Sequence, residues 1–427
     1  MGLDTALSGA ISSLRVNQEA LSIISNNIAN AGTEGFNRVK IRQTNEILNG
    51  VSSGVRIDGV ERAVDEFLVG AARRQSSRVG EADTLKLYMD RTSLFFGQPG
   101  AENSINSFVD NFFSSMSDLA NNPEQIFQRT NALEGATNLS KRISGLATNI
   151  EQVRFDVDQD IASTVTDLNN KIAALDNLNL AIKESSLKGG DQNPLLDKRD
   201  LILKEVTNII DLNVSFSESG EATLFTPRGE LLAPGQKFTI EYPPAPSIDT
   251  FINSEQLSAI TVTLLDANGV KTNTSLDLVS APGSASPEDN VGSGKLRALL
   301  DLRDTELPKF LAQLDEMAQT LKDEFNAIHN DGAGFPPPTS LTGTNLVDLA
   351  DEHVFSGQVR IAILDDSGNP VPDSYGTGNL NPLTLDLSRL DSGNGAGVPS
   401  IQTIIDEINL ILAPLLRRKF LLDLLMT

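Results

Sequence analysis

LDTALSGAISSLRVNQEALSIISNNI, residues 3–28, carries the strongest periodic signal in the chain. Leu3, Leu7, Ala10, Leu14, Asn17, Leu21, Ile24 and Ile28 recur at alternating steps of four and three, and all but Asn17 are apolar, which makes a heptad seam. A helix of this length is marginal alone in water, so the seam predicts a covering helix from this chain or another. The plainer alternative is a helix docked on its own domain. Asn30-Ala31-Gly32-Thr33-Glu34-Gly35-Phe36 follows, and its glycines and Asn supply backbone angles that stop the helix near Asn30 and turn the chain.

Downstream, residues from about 61 to 185 read as long helices, and Leu139 to Ile182 contains no Pro and only Gly145, as a long bundle helix requires. From about 211 the pattern alternates and glycines punctuate it. Leu212-Asn213-Val214-Ser215-Phe216 and Ala259-Ile260-Thr261-Val262-Thr263-Leu264-Leu265, the latter followed by Asp266-Ala267-Asn268-Gly269, are strand and turn signals. Helical spacing resumes at Leu296, and Val359-Arg360-Ile361-Ala362-Ile363-Leu364 reads as strand again. The expected fold is α+β and multidomain. It has an axial-core helix and turn at 1–50, a helical bundle at 51–210, an inserted β-rich domain at 211–290, a returning helix at 291–333, a second β-rich module at 334–398 and an apolar helical tail at 399–427.

Composition narrows the chemistry. The 427 residues are 39 % hydrophobic, enough for several cores, and 34 Lys and Arg against 57 Asp and Glu give a formal charge of −23. Such a charge repels nucleic-acid phosphates and anionic lipid heads. With no Cys, thiol nucleophiles, disulfides and thiolate metal sites are excluded, and the lack of thiols suits a protein outside the cell. The opening residues lack the basic start and apolar core of a secretory signal, and no segment approaches the length of a membrane span.

Ser25-Asn26-Asn27-Ile28-Ala29-Asn30, then Thr33, Gly35 and Phe36, with Ala6-Leu7-Ser8-Gly9 upstream, resembles the N-terminal signature of flagellar rod, hook and hook-associated proteins. Three further stretches narrow the resemblance to the hook-associated protein 1 family of the hook–filament junction: Asn193-Pro194-Leu195-Leu196-Asp197-Lys198-Arg199-Asp200, the run from Gly292 to Asp304, and Glu324-Phe325-Asn326-Ala327-Ile328-His329. The resemblance covers most of residues 1–333. It implies that the first helix packs with a C-terminal helix of its own chain and with neighbouring subunits in a tubular polymer, with Leu3, Leu7, Ala10, Leu14, Leu21, Ile24 and Ile28 as the seam. It also implies a homo-oligomeric junction ring, contacts with the hook protein and the next hook-associated protein, a flagellar export chaperone, and type III export without a cleaved signal to an extracellular site. The tail departs from the family: Ile401, Ile405, Ile408, Leu412 and Leu415 keep heptad spacing, but Pro414 interrupts it and Arg417-Arg418-Lys419 follows, which reads as a truncated or frame-shifted chain.

The other motifs read as structural. Asn26, Asn27 and Asn30 fix register or cap the helix end, and Gly35 and Phe36 are a turn and its anchor. Gly292-Ser293-Gly294-Lys295 lacks the upstream Gly and following Ser or Thr of a phosphate loop and reads as a linker into a helix. His329 and His353 each have acidic neighbours but no paired His or third ligand at metal-binding spacing. Asp197 and Asp200 read as helix-start carboxylates. No catalytic, cofactor or metal residue is expected, and the reading is a structural, non-enzymatic subunit. The rivals are a hook or distal rod subunit, an exported hydrolase or glycan-binding module anchored by the helices, and a cytoplasmic coiled-coil scaffold.

Overall fold

A computed structural model describes residues 2–48, 51–229, 231–233, 238–248, 257–266, 268–282, 284, 289–331, 358–361, 383–386 and 405–406. The chain separates into two compact units, Met1–Gln319 and Thr320–Thr427.

In the first unit, helix α1 (Gly2–Ala29) ends where the Gly- and Asn-containing turn begins. The chain then forms an antiparallel hairpin of β1 (Val39–Leu48) and β2 (Val51–Arg62), with register breaks at Arg42/Gln43 and Glu46/Ile47. This corrects the expectation of a helical bundle from residue 51, because the first bundle helix begins only at Glu66. There, Asp65 caps α2 (Glu66–Phe96) by accepting from the Phe67 and Leu68 amides at 3.0 and 3.1 Å. Helix α3 (Ile105–Asn121) is capped in the same way by Ser104.

Helix α4 (Ile126–Lys188) runs 63 residues, about 95 Å at the usual rise per residue, and ends on Gly189 in the left-handed conformation. Its buried positions, among them Leu139, Leu146, Ile150, Val153, Val157, Ile161, Leu168, Ile172 and Leu175, keep the spacing read from the sequence. Against this stripe pack α5 (Asn193–Ile209), α6 (Lys295–Asp301) and the π-helical turn Leu302–Glu306, which leads into α7 (Leu307–Asp331).

Between α5 and α6 lie two three-stranded antiparallel sheets. One is β3 (Asn213–Phe216), β4 (Ala222–Phe225) and β5 (Leu231–Ala233); the other is β6 (Phe238–Glu241), β7 (Ile260–Leu265) and β8 (Lys271–Val279). The strands come where alternation predicts them, and their buried residues join the core of the helices. Ala222, Leu224, Ile240, Ile260, Val262 and Leu278 belong to the same apolar cluster as α4. Two amides on α4 fasten the sheets: Asn179 donates to the Ala222 carbonyl and accepts from its amide, both at 2.9 Å, and Asn169 does the same to Ile240 at 2.7 and 2.9 Å. Each amide side chain stands in for a neighbouring strand.

A buried ion cluster secures the π-helical turn. Arg303 and Asp158, at 1 % and 0 % side-chain exposure, lie 3.5 Å apart, with Tyr242 hydrogen-bonded to both. Burial opposes the Arg303 charge, but Asp304, Tyr242 and Asp158 outweigh it and hold the guanidinium above its ordinary range. The wider turn suits the Arg303 carbonyl to accept from Arg154 at 2.7 Å.

In the second unit, β9 (Gln358–Ile361) and β10 (Leu383–Asp386) pair antiparallel inside the segment read as a second β-rich module. The rest of that module, His353, and the tail apart from Ile405 and Asp406 lie outside the described residues.

Candidate assembly interface

Helix α1 carries two heptad rows. One is Gly9, Ser12, Val16, Ala20, Ile23, Asn27 and Asn30, all at least partly covered and with Val16 only 5 % exposed. The other is the apolar seam read from the sequence. At about 100° per residue the two rows centre roughly 140° apart, so they lie on different sides of the helix.

The hairpin covers the first row. Ser12 donates from Oγ to the Gly9 carbonyl at 3.0 Å and accepts from the Val55 amide at 3.3 Å. Gly54, at φ +152°, makes this approach possible, because a Cβ there would lie 2.3 Å from the Ser12 Oγ. At the other end Asn27 accepts from the Val39 amide at 3.0 Å and donates to its carbonyl at 2.9 Å, completing the start of β1. Asn30 donates to the Asn26 carbonyl and side-chain oxygen, and Thr33 donates to Asn30, which closes the helix end; Ser25 and Asn26 are exposed.

The second row faces outward. Leu14 is 61 % and Ile28 70 % exposed, and Leu7, Ala10, Leu21 and Ile24 are exposed with them; Ile11 extends the strip. Leu3 lies on the same helix, with its side chain outside the described residues. Among the described residues, one apolar helix face is thus left uncovered, while the other face is packed by the hairpin.

The turn after α1 meets α5. Gly35, at φ +81°, brings the turn against Leu201, and a Cβ there would lie 3.3 Å from the Leu201 Cβ. Asn37 donates to Asp197 through its amide at 3.2 Å and its side chain at 2.9 Å. Arg62, at the end of β2, pairs with Asp197 at 2.9 Å and with Asp200, which also accepts from Arg199 at 2.7 Å. Arg199 stacks over the Phe216 ring at 4.1 Å, and Arg73 approaches the same ring at 5.2 Å.

Asp197 and Asp200 are therefore partners of Arg62 rather than carboxylates serving a helix dipole. Sequence reading missed the hairpin and with it Asn37 and Arg62. The usable signal was the alternation Val39-Lys40-Ile41-Arg42 and Val55-Arg56-Ile57-Asp58 about Asn49-Gly50. Gly292–Lys295 leads into α6 as expected, with Gly294 at φ +109° against the Ile209 carbonyl, and His329 is exposed on α7.

Residues 91–344, more than half of the chain, match the helical domain of the flagellar hook-associated protein FlgK, and residues 3–37 match the flagella basal body rod protein family. Flagellar hook-associated protein 1 of Bacillus subtilis is 24 % identical over 92 % of this chain and 80 % of its own length. The Salmonella typhimurium protein of that name is 25 % identical over 77 % of this chain, which spans 57 % of that relative's length. The flagellar hook junction protein FlgK of Burkholderia pseudomallei superposes with a TM-score of 0.48 at 21 % identity, over 71 % of this chain and 51 % of that one. With an opening segment that matches the rod-protein family and a helical body that matches the FlgK helical domain, this chain belongs to the flagellar hook-associated protein FlgK family.

Proposed function

We propose that the chain is a structural, non-enzymatic subunit of the bacterial flagellum, placed at the junction between hook and filament. It forms a ring of identical subunits there, between the hook protein and the next hook-associated protein. It reaches that extracellular site through the type III export apparatus, escorted by a flagellar chaperone. The observation that carries this reading is the exposed seam of Leu7, Leu14, Leu21, Ile24 and Ile28, on a different side of the helix from the face already closed by the hairpin. A helix so divided is built for insertion into a helical assembly, where repeated packing transmits torque. Leu3 to Ile28 is the axial-core surface in this reading, and the turn with Gly35 and Phe36 joins it to the helical body.

The test is genetic and electron-microscopic: the gene is deleted in its host, and this chain is supplied in trans. Bare hooks after deletion, with filaments restored by the chain, are the expected result. Normal filaments in a deletion strain without a second copy would overturn the junction role.

A further inference from the structure

Helix α1 and the hairpin form an arm whose described residues take no part in the hydrophobic core of the rest of the first unit. The apolar cluster of the body, from Leu85 to Met317, takes no residue from before Leu85. The arm has its own burial, centred on Val16 beneath the hairpin.

Among the described residues, what joins arm to body is mainly polar and concentrated on one face of α5, where Gly35 against Leu201 adds an apolar contact. The chain passes from arm to body once, at Ala63 after β2, and that exit is tied to the turn between α1 and β1 by the Ala63 amide donating to the Arg38 carbonyl at 2.8 Å. Asp197 receives Asn37 from the turn between α1 and β1 and Arg62 from the end of β2, and Asp200 takes the other side of the Arg62 guanidinium. Arg62 is only 7 % exposed and the two carboxylates 12 %, so this is a largely desolvated charge cluster and not a surface pair. Outside it, Asn193 donates to the Val60 carbonyl at 3.1 Å, and Lys204 pairs with Glu34 in solvent.

We infer that Arg62, Asp197, Asp200 and Asn37 are a clamp that makes the arm and the body one rigid lever, and that loosening it frees the arm while the body stays folded. The physical reason is the division of forces. Body stability comes from apolar burial that the clamp does not touch, whereas the angle of the arm rests on a few directional polar contacts. Breaking a desolvated ion cluster from one side leaves an uncompensated charge that gains by opening to water. Arg62 and Asp197 are thus positioning residues for the surface that α1 presents, and the clamp belongs to the isolated chain, so its test stands apart from that of the junction role.

The chain has no Cys, so spin labels can be placed uniquely through Ser22→Cys on exposed α1 and Thr166→Cys on exposed α4. In the full-length protein, pulsed electron paramagnetic resonance should give one narrow distance distribution. Arg62→Ala and Asp197→Asn should each broaden it at least twofold with the thermal unfolding of the body retained, as a released hinge requires. If Arg62→Ala fails to fold by circular dichroism, Asn37→Ala, which leaves the ion pairs in place, should still widen the distribution. A broad distribution in the unaltered chain, or an unchanged width in folded variants, overturns the clamp.

Discussion

Asn27, Asn169 and Asn179 do the same work at three places, each lending its amide to both backbone groups of one strand residue. Asn179 is the most buried of the three and faces a fully buried Ala222. Asn179→Ala strands a donor and an acceptor away from water, so urea denaturation should show a loss of about 2–3 kcal/mol. Asn27→Ala, at a part-exposed site where water can substitute, should cost less than about 1.5 kcal/mol. Two tyrosines make a further case. Burial raises the Tyr88 phenol well above its ordinary range, helped by its hydrogen bond to Asp160, and burial raises Tyr242 likewise. Because the folded-state values lie above the unfolded one, their contribution to stability is complete below pH about 10 and is lost as pH rises further. An alkaline titration should find that the tyrosinate absorbance of these two residues appears together with loss of helical circular dichroism, not before it. Legibility at this scale was poor. A lone Asn in a helix does not disclose which distant strand it will meet, and Asp197 and Asp200 gave no sign that Arg62 lies across from them.

Elements were easier to read where period and length agreed. Most of α4 was visible as the Pro-free run from Leu139 to Ile182 with regularly spaced apolar residues, and its buried stripe follows that spacing. The hairpin was passed over between two helix signals, and its two register breaks interrupt the clean alternation that marks a strand. Glycines at element joints owe their identity to neighbours rather than to local sequence. Gly294 combines φ +109° with a position where a Cβ would lie 2.5 Å from the Ile209 carbonyl oxygen. Gly294→Ala should therefore destabilise the body by about 1–3 kcal/mol or more, measured by chemical denaturation. The exposed Gly100, which has φ +86° but open space around it, should show the smaller cost of backbone strain alone.

Across the whole molecule, the core that holds the body and the exposed apolar seam of α1 are different surfaces. The body is held by one apolar cluster around α4, and the arm presents an apolar strip that contributes nothing to that cluster. Leu14→Glu combined with Leu21→Glu should leave the unfolding midpoint of the isolated chain nearly unchanged, within about 0.5 kcal/mol per site, as exposed positions usually do. The same pair should abolish restoration of filaments in the complementation assay, whereas Asp158→Ala should instead unfold the isolated chain. That substitution leaves Arg303 buried beside a lost carboxylate, at a cost of about 3–5 kcal/mol, measurable by thermal denaturation.

Local pattern by itself determined the long helices, the helix stop near Asn30, the strand-rich insert after Leu212 and an apolar seam on α1, because each follows from a period or a turn residue within a few positions of the chain. Tertiary structure decided the rest. It showed that the seam is the outward face of α1, that the insert shares its core with α4, and that Asp197 and Asp200 bind Arg62 across 135 or more positions of chain. Contacts between residues so far apart depend on which faces the packed helices bring together, and a one-dimensional period carries no record of that choice.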